Sequence, residues 1–245
     1  MRFILLGTAS GMPELTKSSS SLYVETRGKN LLFDCGEGTS QKLLKHHLDG
    51  DTLDALFISH YHPDHVSGLF TLLQMLQLQK RGKPLQLFLP ERPAAMVEAL
   101  EFLYVFPKRF PFPLQIHECS QAELHHEEVV AAVTDHLFNY EDFLEANQLP
   151  NQMNSYAFKI TSGEGNLVYT SDIATTDQIM PIIRDSHTVI ADALHPEPEQ
   201  ILKLQYAGVR RVLLTHGISD ELSRILSEEK PPMFEFAIED HEYSI

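Results

Sequence analysis

An α/β fold, with β-sheets packed together and helices on their outer faces, is what this sequence predicts. Short β-like runs, stretches of helical periodicity and the order of the two carry that prediction. The β-like runs fall at residues 2–6, 21–25, 30–33, 55–58, 85–89, 129–133, 156–160, 167–169, 188–191 and 209–214. They are rich in Val, Ile, Leu, Phe and Tyr and bounded by turn residues. Apolar residues recur at helical spacing over 40–48, 66–79, 93–105, 176–184 and 197–206, and Asp, Ser or Thr opens several of these stretches as a cap. The early runs pair as hairpins; later ones alternate with helices.

Composition sets the class. Of 245 residues, 43% are hydrophobic and 22% charged, ordinary values for a globular chain long enough to bury a large core without disulfides. Cys35 and Cys119 cannot make a framework, no apolar run approaches the ~20 residues of a membrane span, and the opening Met-Arg-Phe-Ile-Leu-Leu-Gly is too short for a signal-peptide core. A cytoplasmic protein with no membrane partner is expected. Neither a repeat nor a linker divides the sequence, so residues 1–245 are read as a single domain. The formal net charge of −15 disfavours nucleic acid as a partner, because phosphate contacts demand a basic face; Lys108-Arg109 and Arg210-Arg211 are modest basic clusters.

The chemistry concentrates in Ser59-His60-Tyr61-His62-Pro63-Asp64-His65. This stretch follows a buried-strand run and precedes a helix near Val66, so His60, His62, Asp64 and His65 sit in a loop at a strand's carboxyl end, where α/β folds place their sites. Three imidazoles and a carboxylate form a nitrogen and oxygen donor set suited to zinc. A polar turn with incidental histidines is the alternative, but such a turn would repel itself on protonation unless a metal organised it. One loop does not close a metal site, and three more candidates stand just past apolar runs: Thr134-Asp135-His136, Thr170-Ser171-Asp172 and Thr215-His216.

His-x-His-x-Asp-His, then a separated His, an Asp and a final His, resembles the metallo-β-lactamase superfamily of binuclear metal hydrolases. The opening Leu6-Gly7-Thr8-Ala9-Ser10-Gly11-Met12-Pro13, Ser19-Ser20-Ser21-Leu22 and Leu32-Phe33-Asp34-Cys35-Gly36-Glu37-Gly38-Thr39 are similar to its ribonuclease Z branch. The resemblance implies a four-layer αββα sandwich, two sheets face to face with helices outside. It also implies two Zn²⁺, with Mn²⁺ or Fe as alternatives: one held by His60, His62 and His136, the other by Asp64, His65 and His216. Asp172 would bridge the pair, and a metal-bridging hydroxide would be the nucleophile. Asp64 counts as catalytic as well as ligating. Asp34 is expected to orient the ligand loop without binding metal, while Gly36 and Gly38 let the backbone turn beside it. His62, where the superfamily's iron-based oxygen reducers carry Glu, favours hydrolysis.

Two further pairs are similar to positions of that branch. Asp192 and His195 correspond to its Glu–His proton shuttle, the carboxylate holding an imidazole that protonates the leaving group. The spacing is shorter than in the branch, and a surface histidine at a helix start is the alternative. Ser155 and Tyr156 correspond to a cleft-lining stretch, a plain strand being equally compatible. The long basic arm that grips transfer RNA in this branch is replaced at about 138–153 by a short lid-like insertion containing Asn139-Tyr140-Glu141-Asp142-Phe143-Leu144-Glu145. Its acidity would repel an RNA backbone within a Debye length, ~8 Å. The sequence is therefore read as a phosphodiesterase on a small or cyclic phosphodiester. RNA 3′-end processing and lactone or thioester hydrolysis are the alternatives, and a non-catalytic metal-binding scaffold the last. The helix at 66–79, apolar on more than one face, would suit either a homodimer interface or burial against a sheet.

Overall fold

Each of two units is built on one sheet. In the computed structural model, which describes residues 1–229 and 231–245, the first unit comprises Met1–Gln121 and Ile238–Ser244 and the second Ala122–Ala237 with Ile245. In chain order the elements begin with β1 (Arg2–Gly7), β2 (Ser21–Thr26), β3 (Lys29–Phe33), α1 (Thr39–Lys45), β4 (Ala55–Phe57), α2 (Pro63–Val66), α3 (Gly68–Leu78), β5 (Leu85–Leu89), α4 (Pro93–Phe102) and β6 (Leu114–Glu118). They continue with α5 (Ala122–His125), β7 (Val129–Val133), α6 (Glu141–Ala146), β8 (Tyr156–Thr161), β9 (Asn166–Tyr169), α7 (Met180–Ile183), β10 (Thr188–Asp192), α8 (Pro198–Leu202), β11 (Arg211–Thr215), α9 (Asp220–Glu229), β12 (Phe234–Phe236) and β13 (Glu242–Ser244). Among the described residues no helix is long and apolar enough to cross a membrane.

The first unit's sheet has the order β13-β1-β2-β3-β4-β5-β6. It is antiparallel from β13 to β3 and parallel from β3 to β6. The β2–β3 hairpin turns through Arg27 (φ 48°) and Gly28 (φ 75°), the two positive-φ residues whose twist matches that of the flanking strands. Side chains then alternate between faces. Leu32, Leu56 and Leu87 pack with Leu69, Leu72, Leu73 and Leu76 of α3 in one cluster, so the apolar positions of that helix are largely occupied by the sheet, with Leu78 left exposed. On the opposite face Phe33, Phe57, Phe88 and His117, each register-paired with the next, stack at centroid distances of 4.9, 4.4 and 5.1 Å. Cross-strand aromatic pairs of this kind fix register.

The second sheet runs β12-β11-β10-β9-β8-β7. It is parallel from β12 to β9 and antiparallel from β9 to β7. Val168, Val189, Ala191, Val212 and Leu214 pack with Ile183, Ile201, Leu204 and Leu222 of its helices.

Most strands fall within a residue or two of the sequence reading, and the helices depart from it where proline intervenes. Residues 66–79 form α3 preceded by α2, which starts early because Pro63 follows His62 and suits a first helical turn. The stretch 176–184 contracts to α7, whose Pro181 lies in the first turn. Residues 197–206 divide into α8 and a 3₁₀ turn at Lys203–Tyr206. The sequence reading omits β6, α5, α6, α9, β12 and β13, all short or polar elements.

One network outside the sheets fastens the segment 238–244 to α1. Asp240 accepts hydrogen bonds from Lys42 (2.6 Å), Lys45 (2.5 Å) and His46 (2.8 Å), and Glu239 pairs with Lys42 and accepts from the amides of Thr8 and Ser18. Burial alone would raise the Asp240 carboxyl, but the donors of Lys42, Lys45 and His46 outweigh it and hold it well below the ordinary carboxylate range. A carboxyl depressed on folding stabilises above its unfolded pKa of about 3.9, and that contribution is lost as the pH falls toward the folded value. Asp240→Asn is accordingly expected to lower Tm at pH 7, with the gap to wild type closing on acidification below about pH 4. A gap that stayed constant with pH would count against the ionic origin of this contact.

Candidate metal centre

In the first unit the candidates stand on the loop after β4. Asp34, fully buried at the end of β3 with φ 58°, organises it. Its Oδ1 accepts the Ser59 amide at 2.7 Å, and its Oδ2 accepts the Ser59 hydroxyl at 2.9 Å and faces Nδ1 of His65 at 2.7 Å. A carboxylate only accepts, so the His65 proton resides on Nδ1 and the lone pair on Nε2. Ser59 Oγ, having given its proton to Asp34, takes that of His60 Nδ1 at 2.9 Å, and His60 is left in the same tautomer. This is the orientation that metal-binding histidines receive from their hydrogen-bonded partners.

His60 and His65 are fully buried with ring centroids 4.2 Å apart, and His62 lies 4.7 Å from His60. Nε2 of His65 stands 3.4 Å from Asp64 Oδ2. Gly36 lets this loop close on the turn after β3: a Cβ there would lie 2.2 Å from the Asp64 carbonyl oxygen, and one at Gly68 would lie 2.1 Å from that of Gly36. Cys35 is wholly buried, its thiol pushed up to about 12 by loss of solvent; it is an inert packing residue.

In the second unit the candidates stand at the ends of β7, β9, β10 and β11. Asp172 is central among them. Its Oδ2 lies 3.4 Å from Nε2 of His136 and 3.3 Å from Nε2 of His216, with both rings and the carboxylate nearly shut off from solvent. The chain enters these positions through the left-handed residues Ser171 (φ 49°) and His216 (φ 65°), a type of strain that clusters at functional sites.

Asp192, fully buried at the end of β10, accepts from the amides of Ile173 (3.2 Å), Leu194 (2.9 Å) and His195 (3.2 Å) and faces Nδ1 of His195 at 2.9 Å. The short Asp192–His195 spacing thus closes a local hydrogen bond. The His195 ring stands between His136 and His216, 4.9 and 5.2 Å from their centroids, with its Nδ1 3.8 Å from Asp172.

Ligand separations test the fit to a cation. Two donors about 2.0–2.1 Å from a tetrahedral zinc lie ~3.3 Å apart. That is the separation of Asp172 from His136 and His216, and nearly that of Asp64 from His65. Neutral imidazole Nε2 atoms converging with carboxylates suit zinc and related divalent metals.

Ser155 and Tyr156 stand at the start of β8, and both are buried. The Ser155 hydroxyl is 2.6 Å from Thr134 Oγ1 and donates to the Thr134 carbonyl at 3.2 Å, so it braces the turn before His136. The segment 138–146 forms a 3₁₀ turn and α6, with Phe138, Tyr140 and Phe143 exposed. Sequence reasoning gave no role to Ser59, Thr134, Asp135 or Gln200. Ser59 and Asp135 are each adjacent to a candidate ligand, which marks their place in the sequence but names no partner.

The fold is that of the metallo-β-lactamase superfamily, of the ribonuclease Z-like kind. Residues 1–222 match the family described as anti-Pycsar protein Apyc1, and the chain belongs to that family. It is 41% identical to a ribonuclease Z of Salinibacter ruber over 119 residues, which is 49% of this chain and 36% of that protein. It is 26% identical to a ribonuclease Z of Methanosarcina mazei across 94% of this chain and 92% of that protein. The chain thus spans about a third of the first relative's length and nearly all of the second's. The metallo-β-lactamase fold protein YhfI of Bacillus subtilis superposes over 99% of this chain and 98% of its own at a TM-score of 0.76 with 20% identity.

Proposed function

We propose that this chain is a binuclear metal-dependent phosphodiesterase acting on a small or cyclic phosphodiester. In this reading His60, His62 and His136 hold one divalent cation, Asp64, His65 and His216 hold the second, and Asp172 serves both. Zinc is the favoured metal, with manganese or iron as alternatives. The observation that carries the reading is that Asp172 and two histidine Nε2 atoms stand at ligand spacing, beside an imidazole fixed on its own carboxylate.

Divalent cations bound here would lower the pKa of coordinated water and neutralise charge on a phosphoryl oxygen. The protein's part is orientation and proton delivery. Asp34 holds His65 and, through Ser59, His60 in their metal-binding tautomers. Asp192 fixes the His195 ring through Nδ1, so Nε2 is the nitrogen that gives a proton to the departing oxygen. Asp64 both ligates and faces the reacting group. Phe138, Tyr140 and Phe143 cover the substrate as an apolar lid.

The acidic Glu141, Asp142 and Glu145 of α6, together with the net charge of −15, favour a small substrate over an RNA backbone. RNA 3′-end processing is the second reading, favoured by the two ribonuclease Z relatives. Zinc-loaded protein would be assayed on a cyclic nucleotide, an alkyl p-nitrophenyl phosphodiester, a lactone panel and a precursor transfer RNA. Faster turnover of a small phosphodiester than of the RNA or any lactone is expected, and its abolition by chelation. Preferential cleavage of the RNA would transfer the assignment to the second reading.

A further inference from the structure

The residue that joins the turn after β7 to the loop after β9 is Asp135. The sheet order places β8 between these strands, so no ladder hydrogen bond sets the position of one strand end against the other. Side chains do so instead. In the loop 173–176, which follows Asp172, four successive amides are captured by side-chain acceptors. Ile173 donates to Asp192 Oδ2 (3.2 Å), Ala174 and Thr175 to Asp135 Oδ1 (2.9 and 3.1 Å), and Thr176 to Gln200 Oε1 (3.1 Å). The Thr175 hydroxyl adds a third bond to Asp135, at Oδ2 (2.5 Å). Asp192 and Gln200 tie the loop to β10 and α8. Asp135 ties it to the residue next to His136, aided by a longer contact from Thr134 Oγ1 to the Asp172 carbonyl (3.3 Å).

We infer that Asp135 is a positioning residue that sets His136 against Asp172, so that the two reach a common cation together. The inference rests on the reading of those side chains as metal ligands. Its mechanism is hydrogen-bond geometry: one carboxylate, three donors, two loops. The charge of Asp135 is incidental to it, which makes the conservative amide the deciding comparison. Asparagine keeps an oxygen for the two amides, whereas alanine keeps nothing.

Metal-free wild type, Asp135→Ala, Asp135→Asn and Gln200→Ala would be titrated with Zn²⁺ against a chromophoric chelator and with Co²⁺ by visible absorption, and amide exchange followed over 173–176. Asp135→Ala is expected to weaken metal binding by about 10–100-fold, the usual cost of losing a partner that orients ligands, with faster exchange at 174 and 175 and an altered Co²⁺ spectrum. Asp135→Asn should stay within about fivefold of wild type. Gln200→Ala should free the Thr176 amide and leave metal affinity unchanged. Should Asp135→Ala fail to fold, Thr175→Val removes one of the three bonds from the loop side and is expected to weaken metal binding by a smaller factor in the same direction. Wild-type affinity and spectrum in Asp135→Ala, or in Thr175→Val as its substitute, would overturn the inference. So would an Asp135→Asn loss equal to that of alanine. A wild type that binds no divalent metal would instead overturn the underlying reading, and the inference with it.

Discussion

Asp172→Ala is expected to lower phosphodiester turnover by at least about 10³-fold, the equivalent of roughly 4 kcal/mol in the barrier. It should also reduce bound metal below two equivalents. The carboxylate oxygen stands 3.3–3.4 Å from two imidazole Nε2 atoms, so its loss removes a donor that both neighbouring histidines face. Metal content by elemental analysis and turnover make the check. A variant that kept full metal content and activity would remove Asp172 from the centre altogether.

His195→Ala is expected to cost about 10²–10⁴-fold in kcat, but only where the leaving oxygen needs a proton. An alkoxide leaving group should show the whole loss; p-nitrophenolate, a stable anion, should show little. This contrast separates proton delivery from damage to the pocket, which would slow both. The ring is anchored by the same buried carboxylate that receives the Ile173, Leu194 and His195 amides, so Asp192→Asn should follow the same leaving-group pattern with smaller amplitude. Equal losses on both substrates would assign His195 to binding.

The ligand loop was legible because its chemistry is contiguous: four donors within six positions, after an apolar run and before a helix. Asp34 was legible as a turn residue with a further duty, and its bonds to Ser59 and His65 give that duty a geometry. Strand ends carrying His136, Asp172 and His216 could be picked out because each apolar run stops abruptly at a polar pair. Asp135 and Gln200 were not, since their partners are backbone amides of the loop 173–176, and amides leave no mark in a sequence. Ser155 shows the converse. The family resemblance reads it as lining a cleft, with a plain strand as the alternative, and the structure turns its hydroxyl onto Thr134 across the β7–β8 pairing. Strands β6, β12 and β13 escaped because three to five residues of mixed polarity carry little periodic signal, and their pairing comes from partners far along the chain.

The pairing of β13 with β1 bears on how the molecule is made. Residues 238–244 come after residues 122–237 of the second unit in the chain, yet they complete the first. During synthesis on a ribosome the outer edge of β1 therefore stays bare while more than a hundred residues emerge, and Glu239 and Asp240 are not yet there to fasten the loop base at Thr8 and Ser18 to α1. A naked strand edge invites pairing with other chains. Nascent or truncated forms ending before Ile238 would therefore be the aggregation-prone species of this protein, and the wait for that last strand would set when its first sheet becomes safe from association.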